Sequence, residues 1–359
     1  MPRLSLLALL VLFAVVCAAH APGAGCAAED AQSGTCGCVD AFHTRHLSSA
    51  QLRPRMRSWD AVDGGNSRGA ASASSAEAEA PFVSTRLHSG LGNQLFQLAR
   101  AYGYAELCSG RAGVWVRAAE LNPHAAAGTA AAGNYHRTVF AKLARIDVEP
   151  DYVSEEPEVA TNVYLPGPAC EPQRRHVHFR GYYQHERYLP RDRAAFFAAL
   201  QLPRAAPMHR TAFIHVRRGD TVGHHMTDVG LTESGYYEAA IALIRENHGS
   251  DVNFLVFSDD VEWCKASPLF AGPAFAFAAE PDEVSALMSM AACMLGGVAA
   301  NSTFSWWGAF LNESGNKTVV FPGSWYSASS GRVSDTPFRG SYVLQADAAD
   351  STTSVQFVT

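Results

Sequence analysis

Two adjacent arginines, Arg217 and Arg218, followed by Gly219 and Asp220, stand directly after the run Thr211-Ala212-Phe213-Ile214-His215-Val216. That run has the composition of a buried strand, so the arginines fall at its carboxyl end. In an open α/β sheet, ligands collect outside that end. A guanidinium fork binds phosphate oxygens bidentately and keeps its charge at any working pH, so the pair suits a diphosphate. Gly219 permits a sharp turn, and Asp220 can fix one arginine's rotamer. A strand end carrying a surface salt bridge is the structural alternative.

Three further clusters have the same placement. Ser258-Asp259-Asp260 follows the apolar run Asn253 to Phe257. A carboxylate there can accept from the N1–H and 2-amino group of a guanine, or it can cap the next helix, with capping expected at Asp259 ahead of Asp260. Asn301-Ser302-Thr303 opens an apolar segment that runs to Leu311, so hydroxyls and unpaired N–H groups point together at the ligand edge. Plain capping, with Phe304, Trp306 and Trp307 in the core, accounts for the same residues. His88-Ser89-Gly90-Leu91-Gly92-Asn93-Gln94 is a glycine loop ahead of a helix. Gly90 and Gly92 let the backbone approach a ligand there, or simply make a turn. Leu95 stands where the dinucleotide fingerprint needs its third glycine, so that fingerprint is absent.

Together these clusters describe a nucleoside diphosphate held without metal, since no Asp-x-Asp occurs to bridge a divalent ion. The arginines would carry the charge of a leaving diphosphate. His88, His178, His224 and His225 are the candidates for proton transfer.

The elements that must position these residues alternate. Strands are predicted at Phe82 to Leu87, Gly113 to Arg117, His176 to Arg180, Thr211 to Val216, Asn253 to Phe257, Gly296 to Ala300 and, as the last, Thr318 to Pro322. Helices are predicted after the glycine loop, around Thr138 to Ala144, and at Arg191 to Leu200, Thr232 to His248, Val261 to Lys265, Asp282 to Leu295 and Asn301 to Leu311. Alternation of this kind gives parallel sheets covered on both faces. Pro203 to Pro207 reads as a hinge, and the expectation is two doubly wound Rossmann-like domains, 81–204 and 205–359, facing a cleft.

The chain has 359 residues, 48% hydrophobic and 17% charged, enough for a large core. Its net charge of -6 advertises no basic face for nucleic acid. Residues 1–21 are a targeting segment, with Arg3 before an apolar run and Ala19-His20-Ala21 as a small-x-small site. A cleaved signal peptide and a short membrane anchor both fit. Residues 22–80 have a Gly, Ala and Ser composition that reads as a stalk, and residues 118–133 read as an Ala/Gly surface insertion. Of the eight cysteines, Cys264 and Cys293 lie in apolar helical patterns where buried thiols are the default. Asn301, Asn312 and Asn316 head glycosylation sequons, and a glycan is expected at Asn312 or Asn316, because one at Asn301 would fill the cleft.

The blocks Ser89 to Ala99, Gly181-Tyr182-Tyr183-Gln184, His215 to Asp220, Phe257 to Cys264 and Asn301 to Ala309, in that order, resemble those of the glycosyltransferase family 11 galactoside α-1,2-fucosyltransferases. The likeness covers about Phe82 to Trp325. It implies a GT-B fold and transfer of L-fucose from GDP-β-L-fucose, with inversion, to the 2-hydroxyl of a terminal β-galactoside, without metal or cofactor. It implies that Arg217 binds the diphosphate, with His215, Arg218 and Asp220 around it. Gly92 and Asn93 would meet donor or acceptor, Asp260 would read guanine, and Ser302, Thr303 and Ser305 would line the phosphates. Eukaryotic relatives are single-pass type II Golgi membrane proteins with a lumenal catalytic part, which favours the anchor over a secreted or lumenal product of cleavage. The insertion, the long stalk and the pair His224-His225 depart from the pattern. A protein O-fucosyltransferase with the same donor half is a rival reading, and an inactive carbohydrate-binding ectodomain is another, although a lectin needs no diphosphate clamp.

Overall fold

Why two adjacent loops should meet a ligand is set by strand order. The computed structural model describes residues 80–115, 135, 138–157, 162–332, 334–347 and 352–359. The expected leader, the stalk up to residue 79 and the 118–133 insertion lie outside the described residues, as do Cys17, Cys26, Cys36 and Cys38. Among the described residues no helix is long and apolar enough to cross a membrane.

The first sheet contains β1 (Phe82–Thr85), β2 (Arg111–Trp115), β3 (Arg145–Ile146), β4 (Tyr152–Glu155) and β5 (His176–Arg180). Its order is β3-β2-β1-β5-β4, parallel throughout. The chain runs outward from β1 through β2 to β3, then returns to place β5 on the other side of β1. The loops after β1 and β5 therefore diverge from neighbouring strand ends, the geometry that opens a crevice in α/β sheets.

The second sheet contains β6 (Thr211–Val216), β7 (Asn253–Ser258), β8 (Phe275–Phe277), β9 (Gly296–Val298), β10 (Thr318–Pro322), β11 (Tyr342–Asp347) and β12 (Thr352–Phe357). Its order is β12-β11-β10-β9-β6-β7-β8. All pairings are parallel except β11 with β12. Here too the chain runs outward from β6 to β8 and returns to set β9 on the far side of β6, so a second switch point lies between the ends of β6 and β9.

The helices are α1 (Leu91–Leu107), α2 (Arg193–Ala199), α3 (Tyr236–His248), α4 (Val261–Ala266), α5 (Glu283–Ala291) and α6 (Thr303–Leu311). The mixed α/β class with parallel sheets is as expected. Several elements differ. Residues 138–143 form successive turns, with Thr138 and Phe140 N–H both donating to the Tyr135 carbonyl, and not a helix. Val139, Phe140 and Leu143 supply the apolar spacing because they are core contacts. α3 starts four residues late, since Gly235 ahead of it holds φ at 78°. Pro322 does not end the last strand: β11 and β12 continue the sheet, and β3, β4 and β8 are too short to leave a periodic trace.

The stretches on either side of residue 205 share one apolar core. Leu95, Phe96 and Leu98 of α1 pack with Phe213, Trp306, Trp307 and Phe321. The Phe96 ring lies 4.5 Å from Trp306 and 5.1 Å from Trp307. Below the other face of the second sheet, Tyr236 and Tyr237 are buried and donate their hydroxyls to the Ala299 and His215 carbonyls. These bonds remove the cost of burying phenolic O–H groups and tie α3 to β6 and to the loop after β9.

Cys108, the C-cap of α1, is bonded to Cys170, 62 residues on, with Cα atoms 5.4 Å apart. Cys264 and Cys293 are buried thiols, as expected. A loop of this length restricts the unfolded chain strongly. Replacing both Cys108 and Cys170 with serine is expected to lower unfolding free energy by about 2–4 kcal/mol. Urea titration of the purified chain checks this, and an unchanged midpoint would remove the bond from the account of stability.

Candidate functional site

The first turn of α1 sits against the first turn of α6. A Cβ at Gly92 would lie 2.6 Å from the Thr303 carbonyl carbon and 2.7 Å from the Phe304 nitrogen. Gly92 is therefore glycine because the α6 backbone occupies the space a side chain needs. This corrects the expectation that it clears room for a ligand. Gly90, by contrast, is exposed and faces open space.

Asn93 fixes this contact. Its side-chain oxygen accepts from the Thr303 hydroxyl at 3.0 Å and from the Gln184 amide at 2.7 Å. Thus the loop after β1, the loop after β5 and the helix after β9 meet at one carboxamide. Two helix N-termini converge there, each with N–H groups that lack intrahelical partners. Their dipoles add a fractional positive charge at the meeting point.

Ser302 caps α6, its hydroxyl accepting from Phe304 N–H at 3.3 Å. Ser305 is a correction. It is fully buried, and its Oγ accepts from Ala300 N–H and donates to the Ala300 and Ser302 carbonyls. It holds the β9–α6 turn and has no free edge for a phosphate. Asn301 donates to the Thr227 and Trp325 carbonyls at 2.9 and 3.1 Å, so its amide is committed. Asn312 is likewise 2% exposed and donates to the Cys293 carbonyl, which corrects its expected glycosylation; Asn316, in an exposed turn, is the sequon the fold leaves accessible.

Across the second switch point, Arg217 donates through Nε and Nη2 to Asp220 at 3.0 and 2.6 Å, and its Nη1 lies 3.1 Å from Asp259. Of its five N–H donors, one on each terminal nitrogen is left for an incoming oxyanion. Arg218 donates Nε to Asp260 at 3.2 Å and lies over Trp263, its Cζ 4.0 Å from the ring centre. Asp259 accepts from Arg218 N–H at 2.8 Å. The cap of α4 is Asp260, which accepts from Trp263 N–H, so the sequence reading put capping on the wrong carboxylate. With one oxygen on that cap and the other on Arg218, Asp260 meets guanine only by giving up a partner.

His215 is buried in β6, its ring 5.7 Å from Phe304. Burial, and secondarily the Arg217 charge, lower its pKa to about 3, so it is neutral at working pH and a weak base. His178 lies inside the first sheet with Ser84 Oγ at 2.8 Å, and burial lowers it to about 4. It belongs to the core, which removes it from the proton-transfer candidates. His88 packs edge-on against Tyr182 at 4.8 Å, beside the glycine loop. His224 and His225 stack on each other, and His224 Nδ1 lies 3.1 Å from the hydroxyl of Thr227, the residue whose carbonyl Asn301 binds.

Two contributors escaped the sequence reading. Gln184 was quoted only as part of a block, and its contact to Asn93 needs the strand order to be known. Glu156 accepts from Tyr182 and Tyr183 N–H at 2.6 and 2.9 Å, holding the loop in which Tyr183 has φ of 52°. Burial raises its pKa to about 7 against the opposing pull of those N–H groups. It follows an unpredicted short strand, so nothing in the sequence singled it out.

Two stability effects follow. Gly92→Ala must push α1 and α6 apart and is expected to cost about 1–3 kcal/mol in urea unfolding; a neutral substitution would mean the two helix ends do not touch. His178 and His215 have folded pKa values lowered to about 4 and about 3 from an ordinary 6.5. Their contribution is present above pH 6.5 and is lost as pH falls, because the unfolded chain takes up protons that the folded chain refuses. The urea midpoint is expected to drop between pH 6.5 and 4, and less steeply in His215→Asn; equal slopes for both chains would show that His215 is not buried neutral.

Residues 184–339, from the Asn93 partner to the end of the segment before β11, match the family model Glycosyl transferase family 11. The chain is 26% identical over 281 residues to an alpha-1,2-colitosyltransferase of Escherichia coli, covering 68% of this chain and 92% of that protein. It is 36% identical over 129 residues to the O-antigen biosynthesis glycosyltransferase WbnK of Escherichia coli, covering 33% of this chain but only 39% of that relative's length. Both switch-point loops of the second sheet fall inside the family match. Residues 184–339 therefore carry a glycosyltransferase family 11 domain, and both of these relatives are glycosyltransferases by name.

Proposed function

We propose that the chain transfers L-fucose from GDP-β-L-fucose to the 2-hydroxyl of a terminal β-galactoside, with inversion and without metal. The observation that carries the reading is the meeting of two switch points at Asn93, together with an Arg217 after β6 that keeps two N–H donors. A diphosphate fits the second switch point, between the ends of β6 and β9. Its oxygens would take the open donors of Arg217 and the N–H groups at the start of α6. The exposed Asp220 carboxylate is the partner that yields to it, since giving up a surface ion pair costs little. Asn93 Oδ1 is occupied, which leaves its amide nitrogen to donate to sugar or phosphate.

In the transfer, the acceptor 2-oxygen bonds to the anomeric carbon as the bond to the diphosphate oxygen breaks. The sugar passes through an oxocarbenium-like state, and charge builds on the departing diphosphate, where fixed donors lower the barrier. The hydroxyl proton goes to a phosphate oxygen or to a rim histidine, His88 or His224. The two sheets would form the halves of a GT-B arrangement, 81–204 toward the acceptor and 205–359 holding the donor. With the N-terminal segment as anchor, the catalytic part would face the Golgi lumen, an oxidising compartment in which the Cys108–Cys170 bond persists.

The name of the relative matched over most of its length favours a 1,2 linkage and raises a second donor, a colitosyl nucleotide. Purified chain is to be incubated with labelled GDP-fucose or the colitosyl donor, against lactose-type sugars and against folded protein domains, and the product linkage read by NMR. Fucosyl transfer to the sugars, in an α-1,2 linkage and undiminished by excess EDTA, is the expected result. Arg217→Ala is expected to lower kcat by about 100-fold or more with an unchanged melting temperature. Near-normal turnover in that variant, or a rate lost to EDTA and restored by Mn²⁺, would reject the assignment.

A further inference from the structure

A second concavity lies on the opposite edge of the second sheet. Lys317 immediately precedes β10, whereas Arg217 immediately follows the parallel β6. Phe310 stands in the last turn of α6, about 10 Å along the helix from the end that meets Gly92. Lys317 and Phe310 line a cavity of about 770 Å³, together with Arg187, Arg191, Arg193 and Arg339. One carboxylate, Glu186, lines it as well. A chain of net charge -6 thus gathers five cations against one acid in a single hollow.

Three of these cations, Lys317, Arg193 and Arg187, are held in place by carbonyls and aromatic faces. Lys317 Nζ donates to the Ala309 and Asn312 carbonyls, capping the C-terminus of α6, and keeps its third N–H. Arg193 lies 4.8 Å over the Phe310 ring, and Arg187 lies 3.9 Å over Tyr164, so both are oriented by aromatic faces and not by acids. Arg339 alone reaches Glu186, at 3.8 Å, too long to neutralise either group fully. Burial, and secondarily the nearby Arg193 charge, lower the Lys317 pKa to about 8.

We propose that this hollow is a second anion site, which binds a small, multiply charged oxyanion, a phosphate or a sulfate ester, on a carrier up to about the size of a disaccharide. Guanidinium forks favour such groups over single carboxylates, and the volume falls within the range of small-molecule sites, ~300–1,000 Å³. The site is separate from the strand-end cluster and does not depend on the donor assigned above.

The test is calorimetric titration of the full chain carrying Arg217→Ala, which disables the strand-end arginine. Inorganic pyrophosphate, a sulfated disaccharide and its unsulfated parent are titrated in turn. Pyrophosphate or the sulfated disaccharide is expected to bind at one site, the unsulfated parent is not, and added salt should weaken the binding. The tighter of the two anions identifies the source as phosphate or sulfate. Adding Arg339→Glu, at a mostly exposed side chain that the fold does not need, is expected to raise Kd at least tenfold; Arg193→Gln is the second variant. No binding to the Arg217→Ala chain, or binding unchanged by both cavity variants, would overturn the site.

Discussion

One carboxamide oxygen organises the centre of this molecule. Asn93 accepts from Gln184 and from Thr303, joining two helix starts and a loop that follow strands of two different sheets. The contact is possible only because Gly92 lets α6 approach within a distance that no side chain allows. Behind it, Phe96 wedges against Trp306 and Trp307 and excludes water, so the polar junction sits on an apolar floor. A hydrogen bond in such surroundings is stronger than in water and more costly to break. Position and chemistry are thus coupled: the bonds that align the two helix ends also fix where their positive ends point.

The strand-end arginines look different in this light than they do in the sequence. Arg217 and Arg218 face Asp220, Asp259 and Asp260, so the cluster carries more acid than base. Fixed carboxylates hold the guanidinium groups in register without a ligand, which limits the ordering cost at binding. They also cancel its charge. An anion is therefore drawn to this edge by the helix N-termini and by the two spare donors of Arg217, and less by net potential. The opposite edge differs in its lining, where five cations stand with one acid.

Much of this was legible in the residues. Alternating apolar runs gave the class, and clusters at run ends gave the four loops, because function in such sheets concentrates where strands stop. What failed was detail decided by one residue of phase. β7 extends through Ser258, so Asp259 falls in the turn and Asp260 becomes the cap. Ser305 lies inside the first turn of α6, where its hydroxyl turns back to Ala300 and away from the ligand edge. Spelling cannot supply this, since serine and aspartate serve equally as cap, turn brace or ligand.

Other failures were non-local, and they have one cause. Gly92 reads as a ligand glycine because its true neighbour, Thr303, lies more than two hundred residues away in the chain. Asn312 reads as a glycosylation site because nothing near it predicts that Cys293 will take its amide proton. His178 reads as a base until Ser84, from another strand, is seen to hold it inside the sheet. In each case the residue's type fixed what it could bond to, and the strand order chose the partner. The five blocks that carry the resemblance are therefore not all independent binding motifs. Three of them meet at Asn93, through Gln184 and Thr303, and the other two meet each other through Arg217, Arg218, Asp259 and Asp260.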